Sequence, residues 1–167
     1  MTDTQLVAET VRKFQDILDQ LRRDIGAGRT TLRLDHKGLG LSVNTPAAES
    51  LAEGVHSIKH HNTLDQWNGA AIKWMILNKR TFIMNDCLNP WDPKVAPHPD
   101  VVKIYGILSE MLTPLIMGGD MIGWVSVHNT KGSRTWTEDE IKMIESACDR
   151  VRSVLEDLDE ASSGDSQ

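Results

Sequence analysis

The 167-residue chain has few cysteines, no excess of basic residues and no long apolar run. Its two cysteines, Cys87 and Cys148, show neither the density of a disulfide framework nor CxxC spacing, so we expect reduced thiols. The formal net charge of −6 argues against an independent nucleic-acid binder, which needs a basic face. No segment approaches the roughly 20 apolar residues of a membrane span, and the N-terminus does not read as a secretory signal. These absences predict a cytoplasmic protein that binds neither nucleic acid nor membrane.

The two ends of the chain predict amphipathic helices on either side of a central core. We expect an N-terminal helix at 3–26, a core at 29–136 and a C-terminal helix at 137–158. Together they form one domain over residues 1–160. The remaining residues, 161–167, are small and polar and are expected to be disordered.

Both terminal helices carry an apolar stripe with alternating spacings of three and four residues. Thr137 and Glu140 form a capping-box pattern at the start of the second helix, and Cys148 lies on its stripe as a core residue. Such a stripe packs a helix either on its own domain or on a second subunit, and the sequence leaves both arrangements open. The residues that would form a homodimer contact are Val11, Phe14, Leu18, Leu21, Ile144, Val151 and Leu155.

The centre of the sequence predicts a β-hairpin. Two apolar runs, 109–117 and 121–129, flank Gly118 and Gly119, and both central residues of such a turn can need positive φ. Pro114 has no amide proton, which predicts a sheet edge or a bulge. Alternation puts Ile122, Trp124, Ser126 and His128 on one face, and Met121, Gly123, Val125 and Val127 on the other.

The other segments give shorter signals, taken in chain order. They predict a strand at 30–36, a short strand at 41–43, a short helix at 47–51 after Thr45, a helix at 65–79, a strand at 81–84, a proline-rich loop at 87–100 and a short helix at 101–106.

This order of elements, with PLIMGGDMIGWVSVHN followed by RTWTEDEIKMIE, resembles a GAF domain. The matching features are an apolar strand at 114–117, a turn at 118–120, a strand beginning Ile-Gly at 122–127, and an aromatic and acidic helix start at 136–140. The resemblance covers residues 6–158 and is similar to small stand-alone bacterial GAF proteins. It implies an α+β, PAS-like fold with a six-stranded antiparallel sheet. Terminal helices would cover one face and often dimerise, while middle helices and a loop would cover the other face around a small-molecule pocket.

The resemblance also brings enzymes and pigment-binding proteins into consideration. Free methionine sulfoxide reductases of this family use reactive cysteines, but here Cys87 is alone in the right region. Bilin-binding relatives attach pigment through a cysteine beside a histidine, and Cys87 has no such neighbour. His56, His60 and His61 form only a weak metal pattern without acidic or cysteine ligands. We predict no catalytic residue, no cofactor and no metal site.

These observations favour a sensory or regulatory domain that binds an unidentified small organic molecule and couples it to dimer or partner contacts. The ligand would enter under the 87–100 loop and bias the packing of the terminal helices. The alternatives are a ligand-free structural dimerisation module and, less favoured, a thiol redox enzyme. The candidate ligand-binding residues are Trp67, Trp74, Asp86, Trp91, His98, Tyr105, Met111, Trp124, Ser126 and His128.

Overall fold

A computed structural model describes residues 2–165, with the side chains of residues 2–161. The strands are β1 (Arg29–Leu34), β2 (Ala48–Leu51), β3 (Phe82–Met84), β4 (Ser109–Met117) and β5 (Asp120–Asn129). The helices are α1 (Asp3–Ile25), α2 (Ala70–Asn78), α3 (Pro99–Lys103) and α4 (Glu138–Asp165). All strand pairs are antiparallel and follow the order β2-β1-β5-β4-β3, which confirms the α+β fold class. No helix in this range is long and apolar enough to cross a membrane.

Helices α1 and α4 cover one face of the sheet, and their apolar stripes form the larger core with it. That core also contains Leu32, Val125 and Val127 from the two central strands. Val11 is half-buried and does not belong to this core. The other stripe residues pack inside the chain's own core: Phe14, Leu18, Leu21, Ile144, Val151 and Leu155. The stripes are therefore already covered within one chain.

Helix α4 begins as predicted and ends later than predicted. The Thr137 amide donates to Glu140, and the Glu140 amide donates back to the Thr137 hydroxyl, which confirms the capping box. The helix continues to Asp165. Residues 161–165, predicted to be disordered, are therefore helical, because extending an existing helix costs far less than starting one. The last two residues of the predicted tail lie outside the described residues.

The hairpin of β4 and β5 is confirmed, with φ of 60° at Gly118 and 87° at Gly119. A bulge interrupts its register, since Leu115 pairs with Gly123 and Ile116 with Met121. Ile122 is left without a partner and packs against the core under the terminal helices. Its predicted place on the Trp124 face was wrong, because one extra residue in a strand reverses the alternation beyond it.

Pro114 lies in the part of β4 that has no neighbour in β3, since β3 pairs only with residues 110–112. Its missing amide proton therefore interrupts no pairing with β3. The bulge at Leu115 follows directly. Both features predicted from this proline are present.

The segment between β1 and β2 departs most from the predictions. Residues 47–51, predicted as a helix, contain the strand β2, which pairs with β1 from Ala48 opposite Leu32. Residues 41–43 contribute only an isolated bridge between Leu41 and His36. The described residues therefore hold five strands rather than the six implied by the resemblance. Tertiary pairing with a central strand overrides the local helix signal.

The remaining middle elements are shorter than predicted. Residues 65–79 contain a single 3-10 turn, Gln66–Asn68, followed by α2. The strand predicted at 81–84 is β3. The proline-rich loop contains one 3-10 turn, Pro93–Val95, and leads into α3, which begins two residues earlier than the helix predicted at 101–106.

Candidate functional site

On the face opposite the terminal helices, the sheet forms the floor of a cavity of about 500 Å³. The register aligns three rows of residues across β1, β5 and β4, all on this face because alternate strand residues share a side. All of them except Arg29 and Pro114 line the cavity. The rows are Arg33–Trp124–Pro114, Thr31–Ser126–Leu112 and Arg29–His128–Glu110.

The cavity is closed by segments 63–66 and 95–98, by Tyr105 in the segment that follows α3, and by the start of α2. Gly69 caps α2 without a side-chain hydrogen bond, and Gly69 lies at the cavity wall together with Ala70 and Ala71. The first amide groups of a helix have no partner within the helix. This end of the cavity is therefore supplied with backbone donors and with the positive end of the helix dipole.

Arg33 provides the one guanidinium that lines the cavity. The residue is 3% exposed, and burial lowers the pKa of its side chain from the ordinary value. Its Nη1 donates to the carbonyl oxygen of Val43 at 2.8 Å. Its buried Nη2 has no hydrogen-bond partner among the described residues. A buried, unpaired donor on a charged group is costly, so Arg33 is prepared for an acceptor that the chain does not supply.

Arg29 has a different role, because backbone and ring acceptors occupy most of its donors. Its Nη1 donates to the carbonyl of Tyr105 at 3.0 Å and lies 3.2 Å from Nδ1 of His128, while Nη2 donates to the carbonyl of His56 at 2.8 Å. Burial lowers the pKa of Arg29 to about 10. Since a guanidinium only donates, Nδ1 of His128 accepts, and the ring proton of His128 lies on Nε2.

Glu110 lies beside this ring, with one carboxyl oxygen 4.0 Å from Nε2 of His128. Burial raises the pKa of Glu110 to about 7. Burial, followed by the charges of Arg29 and Arg33, holds the pKa of His128 well below its ordinary value. The distance is too long for a hydrogen bond. The pair thus presents an imidazole N–H and a carboxyl group side by side at the cavity wall.

A family model for the GAF domain matches residues 9–155. The chain belongs to the GAF family. No curated protein sequence matches the chain at a significant level.

Solved structures with the same fold include light-sensing GAF domains. The cyanobacteriochrome receptor PixJ, in its dark and illuminated states, is 17% identical, with 92% of this chain and 99% of that chain covered and a TM-score of 0.73. The blue-light-absorbing form of the Thermosynechococcus elongatus PixJ GAF domain is also 17% identical, with 95% and 94% covered and a TM-score of 0.73. The far-red-absorbing dark state of JSC1_58120g3, with bound biliverdin IXa, is 15% identical, with 95% and 99% covered and a TM-score of 0.66. At these identities the likeness shows the fold alone.

Five of the ten candidate ligand-binding residues line the cavity of this GAF domain. They are His98, Tyr105, Trp124, Ser126 and His128. His98 comes from the proline-rich loop, Tyr105 from the segment after α3, and the other three from β5. The fold brings these parts of the chain together. The Tyr105 hydroxyl donates to the carbonyl of His61 at 3.0 Å, so the ring is fixed in the wall.

The other five candidates lie outside the cavity. Trp67 packs edge-on against Trp124 and donates to Asp35 at 2.9 Å, which places it behind the wall. Met111 points to the opposite face of β4 and belongs to the core under the terminal helices, because it alternates with Glu110 and Leu112.

The last three lie around the edge of the sheet. Trp74 packs against Phe82 and Trp91, and Trp91 is 55% exposed while donating to the carbonyl of Ile83 at 2.8 Å. Asp86 accepts hydrogen bonds from the residues that follow it and organises a turn. The number of tryptophans in the sequence therefore does not predict which of them line the cavity and which cover the edge of the sheet.

Sequence reasoning missed the charged residues Arg29, Arg33 and Glu110 as parts of the site. The available signal was a charged residue at alternate positions of a strand that has neighbours on both sides. Such a strand is covered on both faces, so its charged side chains are buried and must find partners or a ligand.

Neither cysteine lines the cavity. Cys87 is 4% exposed, and burial, with the charges of Glu110 and Asp86, raises the pKa of its thiol far above the ordinary value. Burial raises the pKa of Cys148 to about 12 on the seam of α4. Thiolate chemistry needs an accessible, low-pKa sulfur, which neither residue offers.

The histidine cluster is part of the wall structure. Nε2 of His56 lies 2.8 Å from the carbonyl of Ile104, and the rings of His56 and His61 meet edge-on at 6.0 Å. His60 is exposed. Among the residues whose side chains are described, no group of three or more His, Cys, Asp or Glu residues is placed to hold a metal ion.

Proposed function

We propose that this GAF domain is a sensor that binds a small organic molecule without a covalent bond and passes the binding event to its terminal helices. The main observation is the cavity of about 500 Å³, within the roughly 300–1,000 Å³ of typical ligand pockets, lined by Arg33, whose Nη2 has no hydrogen-bond partner among the described residues. Bilin chromophores in neighbours of the same fold support an organic ligand. The buried cysteines favour noncovalent binding.

A ligand-free structural module predicts a different interior. Such a domain would fill the space between the sheet and α2 with side chains, as cores are normally filled. Here that space is open, and Arg33 and His128 are among the residues that line it. A thiol redox enzyme is disfavoured by the burial of Cys87 and Cys148. Ligand binding therefore accounts for more of the observations than either alternative.

Strand β5 supplies a route from the cavity to the helices. Trp124 and Ser126 line the cavity, while Val125 and Val127 alternate with them and pack into the core beneath α1 and α4. The segment after β5 adds a second link. The side chain of Arg134 donates to the carbonyl of Ile25 at the end of α1 and forms a salt bridge with Glu140 at the start of α4.

The output is proposed to pass through a homodimer or a partner protein in the cytoplasm. The apolar stripes are used within the chain, so the contact would use the outer edge of the helix pair. Met143, 37% exposed, lies there beside Lys142 and Arg150. Light scattering on the purified protein and on the Met143→Asp variant measures whether the chain is a monomer or a dimer. A monomer that Met143→Asp leaves unchanged would assign the output to a partner protein instead of a dimer.

The binding proposal is tested with a cavity-filling variant. Native mass spectrometry of the purified protein reports any co-purified molecule, and Ser126→Phe places a ring at the centre of the cavity floor. Ser153→Phe, on an exposed position of α4, is the matched control. We expect the co-purified mass with the wild type and Ser153→Phe and its loss with Ser126→Phe. Retention of the molecule by folded Ser126→Phe would assign it to another surface.

Hydrogen exchange tests the coupling step. Ligand binding should slow exchange in residues 87–100 and in both terminal helices, because the proposed population shift orders the cavity rim and changes helix packing. Protection that is the same with and without the bound molecule in all three segments would remove the coupling from the proposal.

A further inference from the structure

We infer that the ligand is an elongated organic carboxylate, whose anionic end is held by Arg33 and the start of α2 and whose far end is neutral. This inference rests on the proposed function, since it assigns the chemistry of the same cavity. It depends on Arg33 and the N-terminus of α2 at one end of the cavity. It also depends on the pair of His128 and Glu110 at the other end.

The first feature is the guanidinium of Arg33. Arg33 lines the cavity, and its buried Nη2 has no hydrogen-bond partner among the described residues. The neighbouring carboxylates are already used: Asp35 accepts from the Val43 amide and from Trp67, and Glu49 accepts from Ser57 and Ile58. A buried guanidinium without a carboxylate partner in the chain is matched by a planar anion.

The second feature is the free N-terminus of α2, a helix of nine residues. Gly69, Ala70 and Ala71 line the cavity; the Gly69 amide donates to the carbonyl of Gln66, and no side chain caps the amides that follow it. The turn before α2 carries Trp67, which packs on Trp124, the sheet neighbour of Arg33. The helix start thus lies over the Arg33 row, and its amides and dipole add to the attraction for an anion.

Among the described residues, the other end of the cavity has no guanidinium or ammonium group in its wall. His128 and Glu110 occupy the last row, four residues along β5 from Trp124, which is about 13 Å at the rise of a strand. A carboxylate placed there would find no such cation to offset its charge. The ring N–H of His128 and the carboxyl oxygen of Glu110 instead suit one neutral group with an acceptor and a donor, such as an amide or a lactam.

Arg29 provides an internal comparison. It is the same residue type four positions earlier on the same face of β1, yet it does not line the cavity and donates to three acceptors in the chain. Arg29 is therefore a positioning residue for His128. Nε of Arg29 also has no hydrogen-bond partner, but among the described arginines only Arg33 both lines the cavity and keeps an unpaired guanidinium nitrogen.

The test uses two probes of the same shape, sodium 1-naphthoate and neutral 1-naphthamide, titrated by tryptophan fluorescence and thermal shift. The variants are Arg33→Gln, which removes the charge, Arg33→Lys, which keeps it, and Arg80→Met, an exposed arginine outside the cavity, as control. We expect naphthoate to bind more tightly than naphthamide. Arg33→Gln should weaken naphthoate about 10- to 100-fold, while Arg33→Lys retains part of the preference and Arg80→Met all of it.

The outcomes separate this inference from the function on which it rests. Equal binding of both probes to the wild type and to Arg33→Gln would keep the ligand cavity and overturn the anion end. Binding of neither probe at millimolar concentration would count against both. A naphthoate preference that survives in Arg33→Gln and is lost in Arg80→Met would move the anion site to the surface.

Discussion

The pair of Glu110 and His128 predicts an unusual pH dependence of stability. Burial raises the pKa of Glu110 to about 7 and lowers that of His128 well below its ordinary value of 6.5. Between about pH 4.5 and 6.5 the folded chain therefore holds one proton, on Glu110. The unfolded chain also holds one, on His128, because an unfolded Glu is ionised above about 4.5. Equal proton counts give no slope, so the contributions of the pair cancel in this window.

Single substitutions remove the cancellation in opposite directions. In His128→Gln, which keeps an acceptor for Arg29, the folded state alone binds a proton, so stability rises as the pH falls from 6.5 to 4.5. In Glu110→Gln the unfolded state alone binds a proton on His128, so stability falls over the same window. Each slope approaches about 1.4 kcal/mol per pH unit wherever the folded and unfolded states differ by one full proton.

Urea unfolding followed by tryptophan fluorescence at pH 4.5, 5.5, 6.5 and 7.5 measures these slopes. Taking each variant's free energy of unfolding minus that of the wild type removes the contributions of all other groups. We expect two difference lines of opposite sign that diverge toward pH 4.5. Flat difference lines would show that the group left in each variant has the same charge in the folded and unfolded states, and the neutral assignment of both groups would be wrong.

Three further predictions follow from local geometry. Gly123→Ala should destabilise the domain by about 3 kcal/mol in urea unfolding, since its Cβ would lie 2.1 Å from a backbone oxygen of β1, whereas Gly118→Asn, in open space with φ of 60°, should cost far less. Thr137→Ala should cost about 1 kcal/mol through the lost capping box, and Thr137→Ser should restore most of it in the same assay. Cys87 and Cys148 should react with a thiol reagent only at the rate of unfolding, so rapid labelling of native protein would contradict their burial.

The hairpin and the terminal helices could be predicted because their signals are local. Two glycines at the turn, a capping box, and apolar residues at a fixed period each act over a few neighbouring residues. Gly123 in the Ile-Gly strand motif has a role that is not local. Its missing side chain lets β5 approach the backbone of β1, a requirement visible in the sequence only as a glycine within a strand.

The site was less predictable because its parts depend on partners distant in sequence. β2 forms where a helix was predicted because β1 offers it an edge, and the bulge at Ile122 changes which face a residue takes. Burial of Arg33 follows from the roof above β1, which residues 63–72 and 95–105 supply. Alternation identified Trp124 and His128 as sharing a face, but not what they would meet there.

Strand β5 connects the cavity to the core beneath the terminal helices. A ligand that displaces Trp124 must move the backbone of β5 or the roof above it. Moving β5 shifts Val125 and Val127, which are fully buried against the terminal helices and cannot move without them. Moving the roof instead displaces only α2 and its flanking turns. Signalling to the helices therefore requires a ligand whose affinity differs between two positions of β5, and a ligand held only by Arg33 and α2 would bind without a signal. We therefore expect contacts with His128, on β5 itself, to decide whether a bound ligand also changes the packing of the terminal helices.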